Sequence, residues 1–208
     1  MSKLALGVLA SHGGTNLQAI IDSCRSGAID AEVRVVISNN SRSMALERAR
    51  RANIPTSHLS GSTHPDPERL DEAIAETLQR HGVQVVALAG YMKMLGARTL
   101  DVYRNRILNV HPALLPKFGG QGMYGERVHE AVLASGEQVS GVTVHLVDEE
   151  YDHGPVVAQT QVPVLPGDTP STLAARVLEQ EHILYPKTIH RIATGEVDLD
   201  QLKAGHTK

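Results

Sequence analysis

The chain has 208 residues, of which 41% are hydrophobic and 21% charged, and its formal net charge is −3. Those values describe ordinary globular composition with material for one large domain, rather than two small ones, and a core that needs no staples. There is no long run of either charge sign and no stretch near the roughly 18 apolar residues of a membrane span, which argues against a nucleic acid or a membrane as partner.

Leu4 to Leu9 is a continuous apolar run ending in Ser11-His12-Gly13-Gly14-Thr15-Asn16. Lys3 ahead of it gives the charge-then-apolar order of a secretion signal, but the glycines behind suit a strand-to-loop junction, and the chain reads as cytoplasmic. Leu17, Ile20, Ile21 and Cys24 then recur at helical spacing up to Gly27. Cys24 is the only cysteine, so no internal disulfide forms, and within a helix it reads as a small buried hydrophobe. Val33 to Ile37 is a buried strand, Met44 to Ala52 a helix and Thr56 to Leu59 a short strand. Asp66-Pro67 opens a helix carrying Leu70, Ile74 and Leu78 and ending near His81-Gly82. Val83 to Ala89 is again uniformly apolar. Apolar strands alternating with helices predict a parallel sheet covered on both faces.

The second half changes character. Ile107 to Val110 reads as a strand running into a proline- and glycine-rich loop from His111 to Gly125, and Val128 to Ala134 as a helix. Val142 to Val147 and Val156 to Val164 alternate on either side of the acidic turn Asp148 to Pro155, which predicts paired strands extending the sheet. Asp168-Thr169-Pro170 caps a long last helix with Leu173, Val177, Ile183, Leu184 and Ile189 as its buried face. The expected fold is α/β and Rossmann-like: a mostly parallel sheet with helices on both faces and antiparallel strands in the C-terminal half. Residues 1–208 read as a single domain, with a first half to residue 110, a second from 111 to 195, and a loosely held tail over 196–208.

Three segments carry chemistry. The Gly13-Gly14-Thr15-Asn16 loop joins a strand to a helix start, which offers amide donors and a positive helix end to a phosphate, or else is a tight turn with an ordinary cap. Asn109 and His111 stand two apart at a strand end and therefore share a face, beside a loop stiffened by Pro112 and Pro116. An amide donor beside an imidazole suits a reaction in which charge develops on a carbonyl oxygen; the alternative is a structural histidine. In the turn Asp148 to Pro155, Asp152 lies just ahead of Gly154-Pro155, and a contact with His111 would raise the pKa of the ring. His145, Asp152 and His153 as metal ligands are a rival reading, but their spacing matches no ligand motif, and no metal is expected.

Taken together, Gly14-Thr15-Asn16-Leu17-Gln18-Ala19-Ile20, Leu88-Ala89-Gly90-Tyr91-Met92, the run NVHPALLPKF from Asn109 to Phe118, and Asp152-His153-Gly154-Pro155 occur in an order that resembles the phosphoribosylglycinamide formyltransferases of the folate-dependent formyltransferase family. The resemblance runs from about Leu4 to Glu181. It implies transfer of a formyl group from 10-formyltetrahydrofolate, as co-substrate, to the amine of 5′-phosphoribosylglycinamide in purine synthesis. It implies small-molecule substrates and a monomer or homodimer, a ribonucleotide-phosphate half over 1–110 and a folate-binding, catalytic half over 111–195. By resemblance, Asn109, His111 and Asp152 form the catalytic trio, Asn109 also bordering the folate; the mechanism expected on that basis has Asn109 and a protonated His111 donate to the oxyanion. Gly14, Thr15 and Asn16 hold the phosphate, Glu181 the sugar, and Met92, Lys93, Met94 and Leu95 border the pterin. The family's folate-contacting arginine is expected near the start of the Asp66 helix, where this chain has Pro67 and, two residues on, Arg69. The stretch Gln121 to Gly125 is longer than in some relatives, and His129-Glu130-Ala131-Val132 restores the pattern.

Relatives of the same fold set the alternatives. Methionyl-tRNA formyltransferases carry an additional C-terminal domain, for which this chain is short, and formyltetrahydrofolate hydrolases usually add an N-terminal regulatory domain, whereas Leu4 begins the sheet directly. A nucleotide-binding regulatory module would explain the Gly14 loop but not Asn109, His111 and Asp152 together.

Overall fold

The computed structural model describes residues 3–202. One seven-stranded sheet runs through the protein in the order β3-β2-β1-β4-β5-β6-β7. Its strands are β1 Leu4–Leu9, β2 Ala31–Ser38, β3 Thr56–His58, β4 Val85–Leu88, β5 Ile107–His111, β6 Val139–Leu146 and β7 Val156–Pro163. The first five pair in parallel, and β5-β6 and β6-β7 are antiparallel. The helices are α1 Thr15–Ser26, α2 Met44–Arg51, α3 Pro67–Arg80, α4 Ala97–Val102, α5 Glu126–Ala134 and α6 Pro170–Ala193. This is the architecture that the alternation of apolar runs and helical periods implied. No helix among the described residues is long and apolar enough to cross a membrane.

The strands feed two cores because successive side chains point to opposite faces. Leu6 and Val8 of β1, Val36 of β2 and Leu108 of β5 join a core with Leu17 and Ile20 of α1 and Leu173, Val177 and Tyr185 of α6. Leu9, Val35, Ile37, Val86 and Ile107 face the other way and pack with Ile74 and Leu78 of α3. The buried members of this second core include none from β6 or β7. Asn109 and His111 lie on the same face of β5 as Ile107, so they project where the apolar layer gives out.

Three expectations are corrected. The sequence reading contained no helix over Ala97–Val102, because its N-cap, Gly96, offers no side chain. The cap comes instead from Asp71 of α3, which accepts from the amides of Arg98 at 2.7 Å and Thr99 at 3.2 Å. Gly96 is required there, since a Cβ would strike the Asp71 carboxylate. Ile183 was assigned to the buried face of α6 but is 59% exposed, because Leu173, Val177, Tyr185 and Ile189 hold the apolar stripe. The segment from Gly195 onward was read as a loose tail, yet Leu199 is 4% exposed in the first core and Asp200 pairs with Arg106 at 2.6 Å. Residues 203–208 of that segment lie outside the described residues.

Candidate active site

The strand order reverses between β1 and β4, and such a switch point leaves a crevice at the carboxyl ends of parallel strands. Side chains and loops tie that edge together. Ser11, after β1, donates its hydroxyl to Asn39 at 2.6 Å and accepts the Met92 amide at 2.8 Å. The buried Tyr185 hydroxyl of α6 lies 3.1 Å from the carbonyl of Leu88 and 3.0 Å from that of Leu108, holding the ends of β4 and β5 side by side. A cleft of about 1140 Å³ opens over this edge.

On one wall, antiparallel pairing sets His145 of β6 directly opposite Asn109 of β5. The His145 Nδ1–H donates to the Leu146 carbonyl at 2.8 Å, which leaves Nε2 free to accept from the Asn109 amide at 3.1 Å. That bond orients the Asn109 NH₂ group and leaves its second hydrogen for another partner. Asp152 lies between the two rings, with Oδ2 3.5 Å from His111 Nδ1 and Oδ1 3.4 Å from His145 Nε2. It also accepts the Gly120 amide at 3.0 Å. Burial would raise the Asp152 pKa, but His145, His111 and the Gly120 amide outweigh it and hold the carboxyl below its usual range. The turn that delivers Asp152 is tightly packed: Asp152 itself has φ 55°, and a Cβ at Gly154 would collide with the Leu146 carbonyl.

His111 is 3% exposed, and its Nε2 donates to the Phe118 carbonyl at 2.8 Å. The expected Asp152 contact is present and acts in the expected direction, raising the His111 pKa, but burial outweighs it. Burial pulls the His111 pKa below its ordinary value, and Asp152 and the Phe118 carbonyl offset only part of that. The resting ring is therefore neutral at pH 7, not protonated as the sequence reading had it. Thr143 supports the loop behind the ring: its hydroxyl donates to the Ala113 carbonyl at 2.6 Å and accepts the Leu115 amide at 3.0 Å.

The Gly14 loop forms the far end of the cleft wall. Gly14 is the N-cap of α1 in the left-handed conformation, with φ 67°, and makes no side-chain cap. A Cβ there would lie 2.7 Å from the Ala45 Cα, so glycine is needed for both shape and packing against α2. Neither Thr15 nor Asn16 caps the helix with its side chain: the N-cap is Gly14, and Asn16 donates to Glu181 Oε2 at 2.5 Å. Burial pushes the Glu181 carboxyl up to about 7, partly countered by that bond.

Of the residues singled out from the sequence, Asn16, Met92, Lys93, Asn109, His111, Asp152 and Glu181 all line the cleft. Gly14 and Thr15 stand at its end as the start of α1, and Met94 is half exposed nearby. Leu95 is not a cleft residue: it is 7% exposed and packs into the second core, because the chain turns back there to enter α4. Arg69 is also displaced from its expected place. The helical period that buries Ile74 and Leu78 turns Arg69 outward, where it is 72% exposed and pairs with Glu72 at 2.8 Å. The three residues of the rival metal reading do not converge, since His153 is exposed and pairs with Asp148 at 3.0 Å. Burial pushes the Cys24 thiol up to about 11, which removes it as a nucleophile near neutrality.

Sequence reasoning missed His145 as a member of the trio's surroundings, and it missed His129 and the α6 face that Ser171, Ala174 and Leu178 add beside Glu181. The alternation of Val142, Val144 and Leu146 carried a signal for His145, since it places that ring on the opposite, polar face.

The chain matches the family model described as Formyl transferase over residues 4–189. It is 40% identical over 194 residues to phosphoribosylglycinamide formyltransferase of Escherichia coli, covering 93% of this chain and 89% of that protein. It is also 40% identical over 188 residues to the chloroplastic phosphoribosylglycinamide formyltransferase of Arabidopsis thaliana, covering 90% of this chain but spanning only 64% of the plant protein's length. Among solved structures, glycinamide ribonucleotide transformylase 1 from Symbiobacterium toebii superposes with a TM-score of 0.87 at 45% identity, covering 93% of this chain and 89% of that one. With its sheet order, its cleft and the match over residues 4–189 in agreement, the chain belongs to the formyl transferase family.

Proposed function

We propose that the protein transfers the formyl group of 10-formyltetrahydrofolate to the amine of 5′-phosphoribosylglycinamide, as the names of its relatives indicate for those proteins. The observation that carries the reading is the cluster of Asn109, His111 and Asp152 at the switch-point cleft. Gly14, Thr15 and Asn16 hold the phosphate at the start of α1, where the first-turn amides lack a side-chain cap. Glu181 accepts from the sugar hydroxyls, and Met92 and Lys93 border the pterin. On this reading both halves of the chain serve both substrates, with Glu181 from the second and Met92 and Lys93 from the first lining one cleft.

In the reaction, the amine nitrogen bonds to the formyl carbon, the carbon's bond to N10 breaks, and one proton passes from the attacking nitrogen to N10. The intermediate carries negative charge on oxygen. Asn109 donates to it with the hydrogen not engaged by His145. His111 relays the proton once its ring leaves the Phe118 carbonyl and its hydrogen sits on Nδ1 facing Asp152; Nε2 then accepts the proton from the amine and passes it on to N10, and Asp152 stabilises the imidazolium as it forms. No metal and no covalent enzyme intermediate enter this scheme. Substrates are small molecules, and a cytoplasmic setting suits them.

The test follows the absorbance change on deformylation of the folate. Change that requires the ribonucleotide supports transfer; change without it indicates a hydrolase, and none in either case indicates a binding module. Asn109→Ala is expected to lower kcat about 100-fold or more, the usual weight of one oxyanion donor, while thermal melting stays near that of the unaltered protein. Near-normal turnover in folded Asn109→Ala would remove the residue from this role.

A further inference from the structure

His129 lies on α5, which packs against α6, and it is 4% exposed. It lines the same cleft as His111 and Glu181. Its Nδ1 is sealed from solvent without a hydrogen-bond partner, and no group among the described residues bonds its other nitrogen. A buried ring with neither nitrogen bonded is costly, and the nitrogen that is not sealed, on a ring that lines the cleft, is the one a ligand can satisfy.

The chemistry of that ligand follows from the state of the ring. Burial lowers the His129 pKa, and His111 lowers it further, so the ring is neutral and carries one N–H. Placing the hydrogen on sealed Nδ1 would orphan a donor, whereas an unfilled lone pair there is the smaller penalty. The hydrogen therefore sits on Nε2, the nitrogen that Nδ1's enclosure leaves open to the cleft. A single neutral N–H donor suits an uncharged oxygen such as an amide carbonyl.

We propose that His129 binds the acceptor substrate, donating its Nε2–H to the carboxamide oxygen of the glycinamide group and so aiming the amine at Asn109 and His111. The assignment rests on the acceptor lying along Glu181 as proposed above. On that placement the acceptor runs from the α1 N-terminus past Glu181 toward His111, which lets its glycinamide carbonyl, next to the amine, turn to the wall that carries His129 and Glu181. The other cleft-lining side chains of α5 and α6 are Glu126, Arg127, Ser171, Ala174, Leu178 and Glu181, and none brings a neutral ring N–H.

The test uses the full chain with His129→Ala and His129→Gln, and reads KM separately for the ribonucleotide and for 10-formyltetrahydrofolate, with thermal melting as the check on folding. His129→Ala is expected to raise the ribonucleotide KM about 10-fold, the weight of one neutral hydrogen bond, and to leave the folate KM within about 2-fold. His129→Gln, which keeps an N–H donor at similar reach, is expected to recover most of the loss. If His129→Ala does not fold, His129→Gln is set against His129→Leu, which has no donor, with the same ordering expected. An unchanged ribonucleotide KM, or equal rises for both substrates, would overturn the inference alone. Absence of ribonucleotide-dependent transfer by the unaltered protein would instead overturn the functional reading on which it rests.

Discussion

At the residue scale, His111 is set by two opposed influences. Its burial disfavours the charged ring, while Asp152 at 3.5 Å favours it, and burial is the larger. A relay group of this kind begins neutral and gains its counter-charge only as the proton arrives. Folded pKa is depressed, so the active neutral form is lost as pH falls through that value, and the acid limb of kcat/KM lies below the ordinary histidine pKa of about 6.5. Asp152→Asn removes the influence that raises the ring's pKa. The acid limb is then expected to move to still lower pH, with kcat down about 100-fold from loss of the imidazolium's partner. A pH–rate profile checks both, and a limb that moves upward would contradict the assignment. The same depression destabilises the fold as pH drops below about 6.5, because the unfolded chain then binds the proton that the buried ring refuses.

At the element scale, most helices announce themselves locally and α4 does not. The Thr169–Thr172 capping box of α6 and the Asp66 cap before Pro67 are written in adjacent residues. The cap of α4 comes from Asp71, one helix earlier, and is buried at 8% exposure. Asp71→Ala is expected to cost about 1–2 kcal/mol or more through loss of that cap, lowering the melting temperature by roughly 2–8 °C for a chain of this size. Because α4 packs with α3 and leads into β5, hydrogen exchange in Ala97–Val102 should accelerate more than in α1. Equal acceleration in both helices would argue against a local cap.

At the scale of the whole molecule, one hydroxyl links the longest helix to the two strands that end at the site. Tyr185 is fully buried and serves both the Leu88 and Leu108 carbonyls, the residues just before the Ala89-Gly90 turn and Asn109. Tyr185→Phe keeps the ring's packing but withdraws the donor from buried acceptors, for an expected loss of about 1–3 kcal/mol by chemical denaturation. If the hydroxyl also sets strand spacing, kcat falls in the same variant while the ribonucleotide KM changes little. A variant with unaltered stability would show that the carbonyls find other partners.

The sequence by itself determined the alternating α/β architecture, the strand ends that carry the Gly14 loop and Asn109–His111, and the turn that presents Asp152. Each is legible because apolar periodicity, glycine and proline act within a few residues of the chain. Tertiary structure alone decided that His145 orients Asn109, that His129 and Glu181 face the same cleft, that Arg69 turns away from it, and that His111 rests neutral. These depend on strand register, on helices packed from distant segments, and on how much water the fold leaves around a ring, none of which is encoded in neighbouring residues.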